Sequence, residues 1–342
     1  MFPRLYTRLA LTISVLLRGG RALAPRADIP PLSPEELAEA QSFFRRPKFF
    51  VYGHARSGTT LLMRLLDAHP DVFCTRQAHF FTRPPYLHAL VSDPDIAFWL
   101  RRGSFRWNRG RDLSPVVLRA AADFILERDA ARTGAKIVGD KSPNSINDGE
   151  AIDLTHRIYP DAKIVYIVRD GRDAVLSHRF QAFIDAPQHL GRADLRIRAE
   201  FQRDPESFRP TGKSLFTEKS IRDYARGWVR NVETTTERGR ALYGDHFHAL
   251  RFEDLLADPA GETAKTWAFL GADPAFPGAD AAVGSVAGTN RDAQWQETKA
   301  GEIADEIPKG QQGSWEEFFS ERDQRAFVEI AGETLEAWHY NV

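Results

Sequence analysis

Cysteine is nearly absent from this chain: Cys74 is the only one in 342 residues. A single thiol excludes an intramolecular disulfide and a multi-cysteine metal site, and it permits a reducing compartment. Net charge is nearly absent too, at −1 with histidine neutral. The chain as a whole therefore gives no argument for a nucleic-acid partner, and local clusters must carry any case for an anionic ligand. The apolar run Leu9 to Leu17 falls short of the roughly 20 residues that a bilayer-spanning helix needs. Internal repeats and low-complexity stretches are missing as well. What is present is an ordinary globular composition, long enough for one large α/β domain with insertions or at most two domains.

Residues 1–27 carry Arg4, Arg8, Arg18, Arg21 and Arg26 and no acid. A secretory signal ending near Ala22-Leu23-Ala24 is disfavoured by Arg18 directly after the apolar run and by the missing disulfides. An amphipathic helix lying on a membrane or on the domain is the favoured reading, and an organelle transit peptide is the alternative. The expected location is cytoplasmic, with peripheral membrane contact through residues 1–24 and organelle targeting left open. A proline-bearing linker, Pro25 to Leu32, follows, so the expected division is an N-terminal segment and linker at 1–32 and a folded domain at 33–342. That domain opens on Ser33-Pro34-Glu35-Glu36, a capping box for a helix to about Phe44.

From Lys48 onward the pattern repeats strand, loop and helix. Apolar runs at Phe49–Tyr52, Val72–Cys74, Ile137–Val138, Ile164–Val168 and Phe247–Leu250 read as buried parallel strands with helical periodicity between most of them. The fold class is α/β, a P-loop-like doubly wound parallel sheet flanked by helices in a single domain. Ligands in such sheets bind beyond the carboxyl ends of the strands, so chemistry is sought there.

The first strand end carries Gly53-His54-Ala55-Arg56-Ser57-Gly58, spaced like a nucleotide P-loop whose backbone N–H groups and following helix surround an anion. Thr59 stands where that motif places its lysine. Because the lysine serves the β- and γ-phosphates of a nucleoside triphosphate, its absence points to another anion. The second strand end carries Gln77-Ala78-His79, the third Asp140-Lys141-Ser142, and the fourth Arg169-Asp170-Gly171-Arg172. Arg169, with Ser177 in the helix that begins near Arg172, suits a dianionic phosphate. On its own, Arg169 pairing with Asp170 or Asp173 is the simpler reading.

Taken together, these motifs resemble the sulfotransferase family. Arg56-Ser57-Gly58-Thr59-Thr60 is similar to its 5′-phosphosulfate loop, and Arg169 with Ser177 to its 3′-phosphate motif. Lys309-Gly310-Gln311-Gln312-Gly313-Ser314-Trp315 resembles the loop that closes over the same 3′-phosphate. Arg56 to Pro70 and Val168 to Arg172 look closest to tyrosylprotein sulfotransferases and related bacterial enzymes. The resemblance implies 3′-phosphoadenosine 5′-phosphosulfate as co-substrate and no metal. A donor with two separated phosphates needs two anion sites and no triphosphate lysine.

Sulfuryl transfer then requires positive charge on the leaving oxygen and a base for the acceptor proton. Arg56 and Lys141 are the expected cations, Lys141 resembling the family's catalytic lysine. The relatives place a glutamate where this chain has Gln77, and an amide is no general base. The expectation is that His79 takes the proton and Gln77 orients the acceptor, with Asp140 in reserve; a satisfied, partly buried His79 is the competing reading. Ser142 reads as the cap of a helix opening at Pro143. Phe98 to Arg111, with five arginines, is either an acceptor lid or a solvated face, and Gln181 to Lys219 is a polar insertion with the solvated reading preferred. Ile221 to about Arg238 and Leu255 to Leu270 read as amphipathic helices, with Trp228 in the core. The acceptor is a small molecule, glycan, lipid or peptide; nucleic acid is not expected, and the oligomeric state is not legible. An inactive donor-binding homologue and a P-loop kinase are the alternative functions.

Overall fold

The structure is a computed structural model that describes residues 28–82, 87–104, 106–145, 149–209, 212–288 and 311–342. Strands β1 (Lys48–Gly53), β2 (Val72–Arg76), β3 (Ile137–Lys141), β4 (Lys163–Val168) and β5 (Phe247–Arg251) form one sheet in the order β2-β3-β1-β4-β5. Every neighbouring pair is parallel. Among the described residues, the helices of eight or more residues are, in chain order, α1 (Pro34–Phe43), α2 (Thr59–Leu66), α3 (Pro94–Arg101), α4 (Ser114–Thr133), α5 (Ala151–Ile158), α6 (Gly171–Asp185), α7 (Arg192–Arg203), α8 (Glu218–Tyr243), α9 (Pro259–Leu270), α10 (Ala279–Ala287) and α11 (Glu321–Ala337).

Alternation along the strands sorts the core into two layers. Phe49, Val51, Val165 and Ile167 join Leu62, Leu65 and Leu66 of α2 and Trp267 of α9 on one face. Phe50, Tyr52, Ile164 and Tyr166 join Leu118, Leu126, Trp228 and Phe327 on the other. All six residues of β1 are buried, as a central strand covered on both faces requires. β1 is also the switch point, since the chain runs from it toward β2 on one side and on to β4 and β5 on the other. The crevice favoured for ligands therefore opens at the carboxyl ends of β1, β3 and β4.

Several boundaries differ from the sequence expectation. β3 continues through Gly139 and Asp140 to Lys141, so Lys141 ends a strand instead of following one. No helix opens at Pro143; the Ser142 hydroxyl donates to Asp140 Oδ2 at 2.5 Å. A buried carboxylate outcompetes a helix N-terminus for that hydroxyl. The Leu255–Leu270 segment is broken at Asp258, which caps α9 by accepting from Gly261 N at 2.8 Å, with Pro259 at the first helical position. The insertion 181–219 is largely helical, and Phe201, Phe208, Leu215 and Phe216 tie it to the core. The Ser33 capping box forms as expected, and α1 ends at Phe43. Ile29 and Leu32 of the linker are buried on the domain, where Leu32 N donates to the Arg157 carbonyl at 2.9 Å.

Candidate active site

The loop after β1 is built for close approach. Gly53 admits no Cβ, which would meet the Ile167 carbonyl and Thr59 Cγ2 at 2.8 Å each. Gly58 sits at φ 86°, and a Cβ there would lie 2.2 Å from the Phe252 ring. Gly58 also stands at the N-cap of α2 and offers no capping side chain, so the first-turn N–H groups are left to an outside acceptor. Ser57 is fully buried beneath the loop with no hydrogen-bond partner on its hydroxyl among the described residues. A buried, orphaned hydroxyl in a glycine loop fits an anion site. Burial, aided by neighbouring His178, holds His54 down at about 4, so it is neutral at physiological pH.

Arg56 projects from this loop with a left-handed backbone, φ 74°. Its Nε donates to Ser177 Oγ at 3.1 Å, and its carbonyl accepts from Arg169 Nη1 at 3.0 Å. Arg169, the residue after β4, reaches onward with Nη2 to the Gln311 carbonyl at 2.7 Å, while its buried Nε has no partner among the described residues. The predicted 5′- and 3′-phosphate motifs and the start of the C-terminal loop are thus wired through two guanidinium groups. Arg169 also forms the ion pair with Asp173 that the simpler reading expects, Nη2 to Oδ2 at 3.9 Å, while Asp170 pairs with Arg172. Lys309 and Gly310 lie outside the described residues.

Lys141 is buried, and its Nζ donates to Thr60 Oγ1 in the first turn of α2 at 3.3 Å. Burial pushes its pKa below that of an ordinary amine; Cys74 and Asp140 oppose that shift, while the cationic Arg76 and Arg56 add to it. Lys141, Arg56 and Arg76 therefore place positive charge in one region at the carboxyl ends of β1, β2 and β3. Asp140, one residue earlier, points to the opposite face of the sheet by strand alternation.

Asp140 organises the loop after β2. Its Oδ1 accepts from Ala78 N at 2.9 Å, and its Oδ2 accepts from Ser142, whose hydroxyl in turn accepts from His79 N at 2.9 Å. Burial pushes the Asp140 carboxyl up to about 6 against those hydrogen bonds and against Lys141. Gln77 and His79 both adopt left-handed conformations, φ 51° and 52°, and Gln77 N donates to the Lys141 carbonyl at 2.8 Å. Of the non-glycine residues with positive φ, Arg56, Gln77 and His79 all fall on these strand ends, a strain pattern associated with functional loops. The Gln77 side chain is exposed; the His79 ring is buried, with Nδ1 2.6 Å from Thr82 Oγ1.

Three contributors have no site role in the sequence reading, which takes Asp173 only as an ion-pair partner of Arg169 and Glu253 as a turn and cap residue. Asp173, in the first turn of α6, accepts from Gly313 N at 2.8 Å and Trp315 N at 3.0 Å, anchoring the C-terminal loop. Burial pushes its carboxyl up to about 6, opposed first by Arg169. Glu253 accepts from Asp170 N at 3.0 Å and Tyr340 at 2.7 Å, fixing the turn after β4. Arg76 was visible as a strand-end cation beside Gln77. Trp228 is fully buried, 6.1 Å from Phe327, and belongs to the core. Among the described residues no group of three or more His, Cys, Asp or Glu side chains converges as a metal site, and no helix is long and apolar enough to cross a membrane.

A family model described as "Sulfotransferase family" matches residues 47–276. The protein-tyrosine sulfotransferase of Drosophila melanogaster is 33% identical over 134 residues, which cover 38% of this chain and 25% of that protein. Protein-tyrosine sulfotransferase 1 of Homo sapiens is 30% identical over 132 residues, covering 38% and 33%. The alignments thus span only a quarter to a third of the length of these two relatives. Among solved structures, the sulfotransferase domain of the Synechococcus PCC 7002 olefin synthase aligns with a TM-score of 0.46 at 15% identity, over 94% of this chain and 100% of that one.

Proposed function

The chain belongs to the sulfotransferase family, and from that premise we propose that it moves a sulfuryl group from 3′-phosphoadenosine 5′-phosphosulfate to a hydroxyl or amine of an acceptor. The observation that carries this reading is the relay from Ser177 to Arg56, from the Arg56 carbonyl to Arg169, and from Arg169 to Gln311. It supports a clamp for two separated phosphates instead of a triphosphate cradle. The 5′-phosphosulfate would lie against Arg56, Ser57, Gly58, Thr59 and Thr60, and the 3′-phosphate against Arg169 and Ser177, with Lys309 and Gly310 proposed to close over it. The functional domain is proposed to span residues 33–342.

In this reading an acceptor oxygen attacks sulfur in line with the bridging oxygen to the 5′-phosphate. The new O–S bond forms as the old S–O bond breaks, and the electron pair leaves on the 5′-phosphate. Lys141 and Arg56 neutralise that charge from a region where burial strengthens their effect. The acceptor proton passes to His79, whose Nδ1 lies 2.6 Å from Thr82 Oγ1. Exposed Gln77 orients the acceptor. The products are the sulfated acceptor and 3′-phosphoadenosine 5′-phosphate.

The relatives are named for protein tyrosine, so tyrosine peptides belong in the acceptor panel beside phenols, glycans and lipids. Incubation with sulfur-labelled donor and that panel tests the proposal, and label transfer to any acceptor is the expected result. Tight binding of 3′-phosphoadenosine 5′-phosphate with no transfer would instead support an inactive donor-binding homologue, which Gln77 in the relatives' glutamate position favours. Failure to bind that nucleotide would remove both readings.

A further inference from the structure

Of the ten large apolar side chains exposed among the described residues, five fall in one stretch: Leu90, Ile96, Phe98, Trp99 and Trp107. Helix α3 is apolar on both sides. Ala97 and Leu100 dock it on the core, while Ile96, Phe98 and Trp99 are 40%, 55% and 49% exposed. Docking needs one apolar stripe, so the outer one has no packing reason to exist.

The patch is held open by a built loop. Trp107 lies in the helical turn Arg106–Asn108 and stacks on Trp99, ring centroids 4.5 Å apart and planes 25° from parallel. Buried Asn108 fixes that turn, donating to the carbonyls of Leu100 at 3.3 Å and Arg102 at 3.1 Å and accepting from Gly110 N at 3.0 Å. Arg102 lies 5.2 Å over the Phe98 ring, and Arg106 and Arg109 are exposed beside it. Arg101 and Arg111 are taken by Asp28 and Glu36. The acids within the patch are Asp93, which caps α3, and Asp95.

The chain also joins the fold here. Asp28, the first described residue, accepts from Arg101 at 2.8 Å, and the sequence before it carries five arginines and no acid. Exposed aromatic rings beside exposed arginines combine the apolar and the electrostatic attraction by which a peripheral protein binds an anionic bilayer. We propose that this face docks on an anionic lipid bilayer. Trp99, Trp107, Phe98 and Ile96 enter the headgroup region, where amphipathic rings partition well, and Arg106 and Arg109 meet lipid phosphates. The docking is independent of the transfer chemistry and would hold whether or not the protein is an active enzyme.

Co-sedimentation of the full chain with phosphatidylcholine vesicles, with and without phosphatidylserine, tests this. Binding to the serine-containing vesicles is expected, weakening with salt. The double variants W99S/W107S and R106E/R109E should each reduce partitioning by roughly tenfold or more, since each basic residue near an anionic surface contributes about a factor of five. Their unfolding midpoints, measured in parallel, should stay above the assay temperature, so that lost binding is read on folded protein. Quenching of tryptophan emission by brominated lipid should fall in a W99F/W107F variant. Parent-like binding by both double variants would assign attachment to residues 1–27 alone and overturn the proposal. Parent binding to a soluble sulfated polysaccharide but not to vesicles would make the patch a glycan surface and overturn it too.

Discussion

Arg56 Nε donates to the Ser177 hydroxyl at 3.1 Å, joining residues 121 positions apart. Arg56 belongs to the loop after β1 and Ser177 to α6 after β4, so one side chain links two anion-binding motifs that the sequence keeps far apart. Arg169 repeats the link in the other direction through the Arg56 carbonyl. Substitutions within such a relay are expected to couple instead of adding.

Arg169→Ala should weaken binding of 3′-phosphoadenosine 5′-phosphate, followed by calorimetry, by roughly 10- to 100-fold, the range for losing a charge-assisted hydrogen bond. Arg169→Lys should recover little, because an ammonium cannot span the Arg56 and Gln311 carbonyls as the planar fork does. The Arg169→Ala/Ser177→Ala pair should lose less than the sum of its parts. Parent-like affinity in Arg169→Ala would dismiss the clamp.

Lys141→Ala should lower turnover by about 10²- to 10³-fold, as for removal of one charged or hydrogen-bonding group from a developing anion. The ionised lysine is the active form, and burial holds its pKa below the ordinary amine value. The alkaline fall in rate should therefore begin below the pH expected for a lysine near 10.4 and should disappear in the variant's residual activity. An alkaline limb that survives in Lys141→Ala would assign that ionisation elsewhere.

The sheet was legible because β1 and β4 are continuous apolar runs, as strands covered on both faces must be. Thr59 and Arg169 were legible because strand ends are where an α/β sheet binds ligands. The end of β3 was not: Gly139, Asp140 and Lys141 carry no strand propensity, and only pairing with β1 and β2 keeps them extended. Ser142 misled for a related reason. Its local Ser-Pro pattern suits a helix cap, but the carboxylate that claims it is fixed by a tertiary fold. Asp173 was legible only as a partner for Arg169; its hold on the C-terminal loop was hidden because Gly313 and Trp315 lie some 140 residues away.

The proton acceptor is open to a direct test by pH-dependent turnover. His79→Asn keeps a polar atom for Thr82 but cannot act as a general base, so the rate should fall by about 10²- to 10⁴-fold. Gln77→Glu should introduce a new acidic limb in the carboxylate range, since it restores the residue that the resemblance implies at that position. A His79→Asn enzyme with an unchanged rate and profile would leave His79 as a structural partner of Thr82.

Asp140 gives the final prediction, on stability. Its carboxyl is buried and pushed up to about 6 from an ordinary 3.8. A raised carboxyl pKa means that the folded state holds its proton more tightly than the unfolded chain does. Between about 4 and 6 the unfolded state therefore binds fewer protons, and stability falls as pH rises through that window. Each tenfold gain in proton affinity on folding corresponds to about 1.4 kcal/mol, so Asp140 should account for a loss on the order of 1–3 kcal/mol. Asp140→Asn keeps the shape and an oxygen for Ala78 N, and its unfolding free energy should be flatter with pH than the parent's by that amount. Asp173, raised in the same direction, leaves a residual slope in the variant. Chemical denaturation at pH 4.5, 5.5 and 6.5, values chosen as roughly evenly spaced across the window, measures the difference. An Asp140→Asn slope as steep as the parent's would show that this carboxyl is ionised in the folded loop throughout, held by Ser142 and Ala78 against its burial.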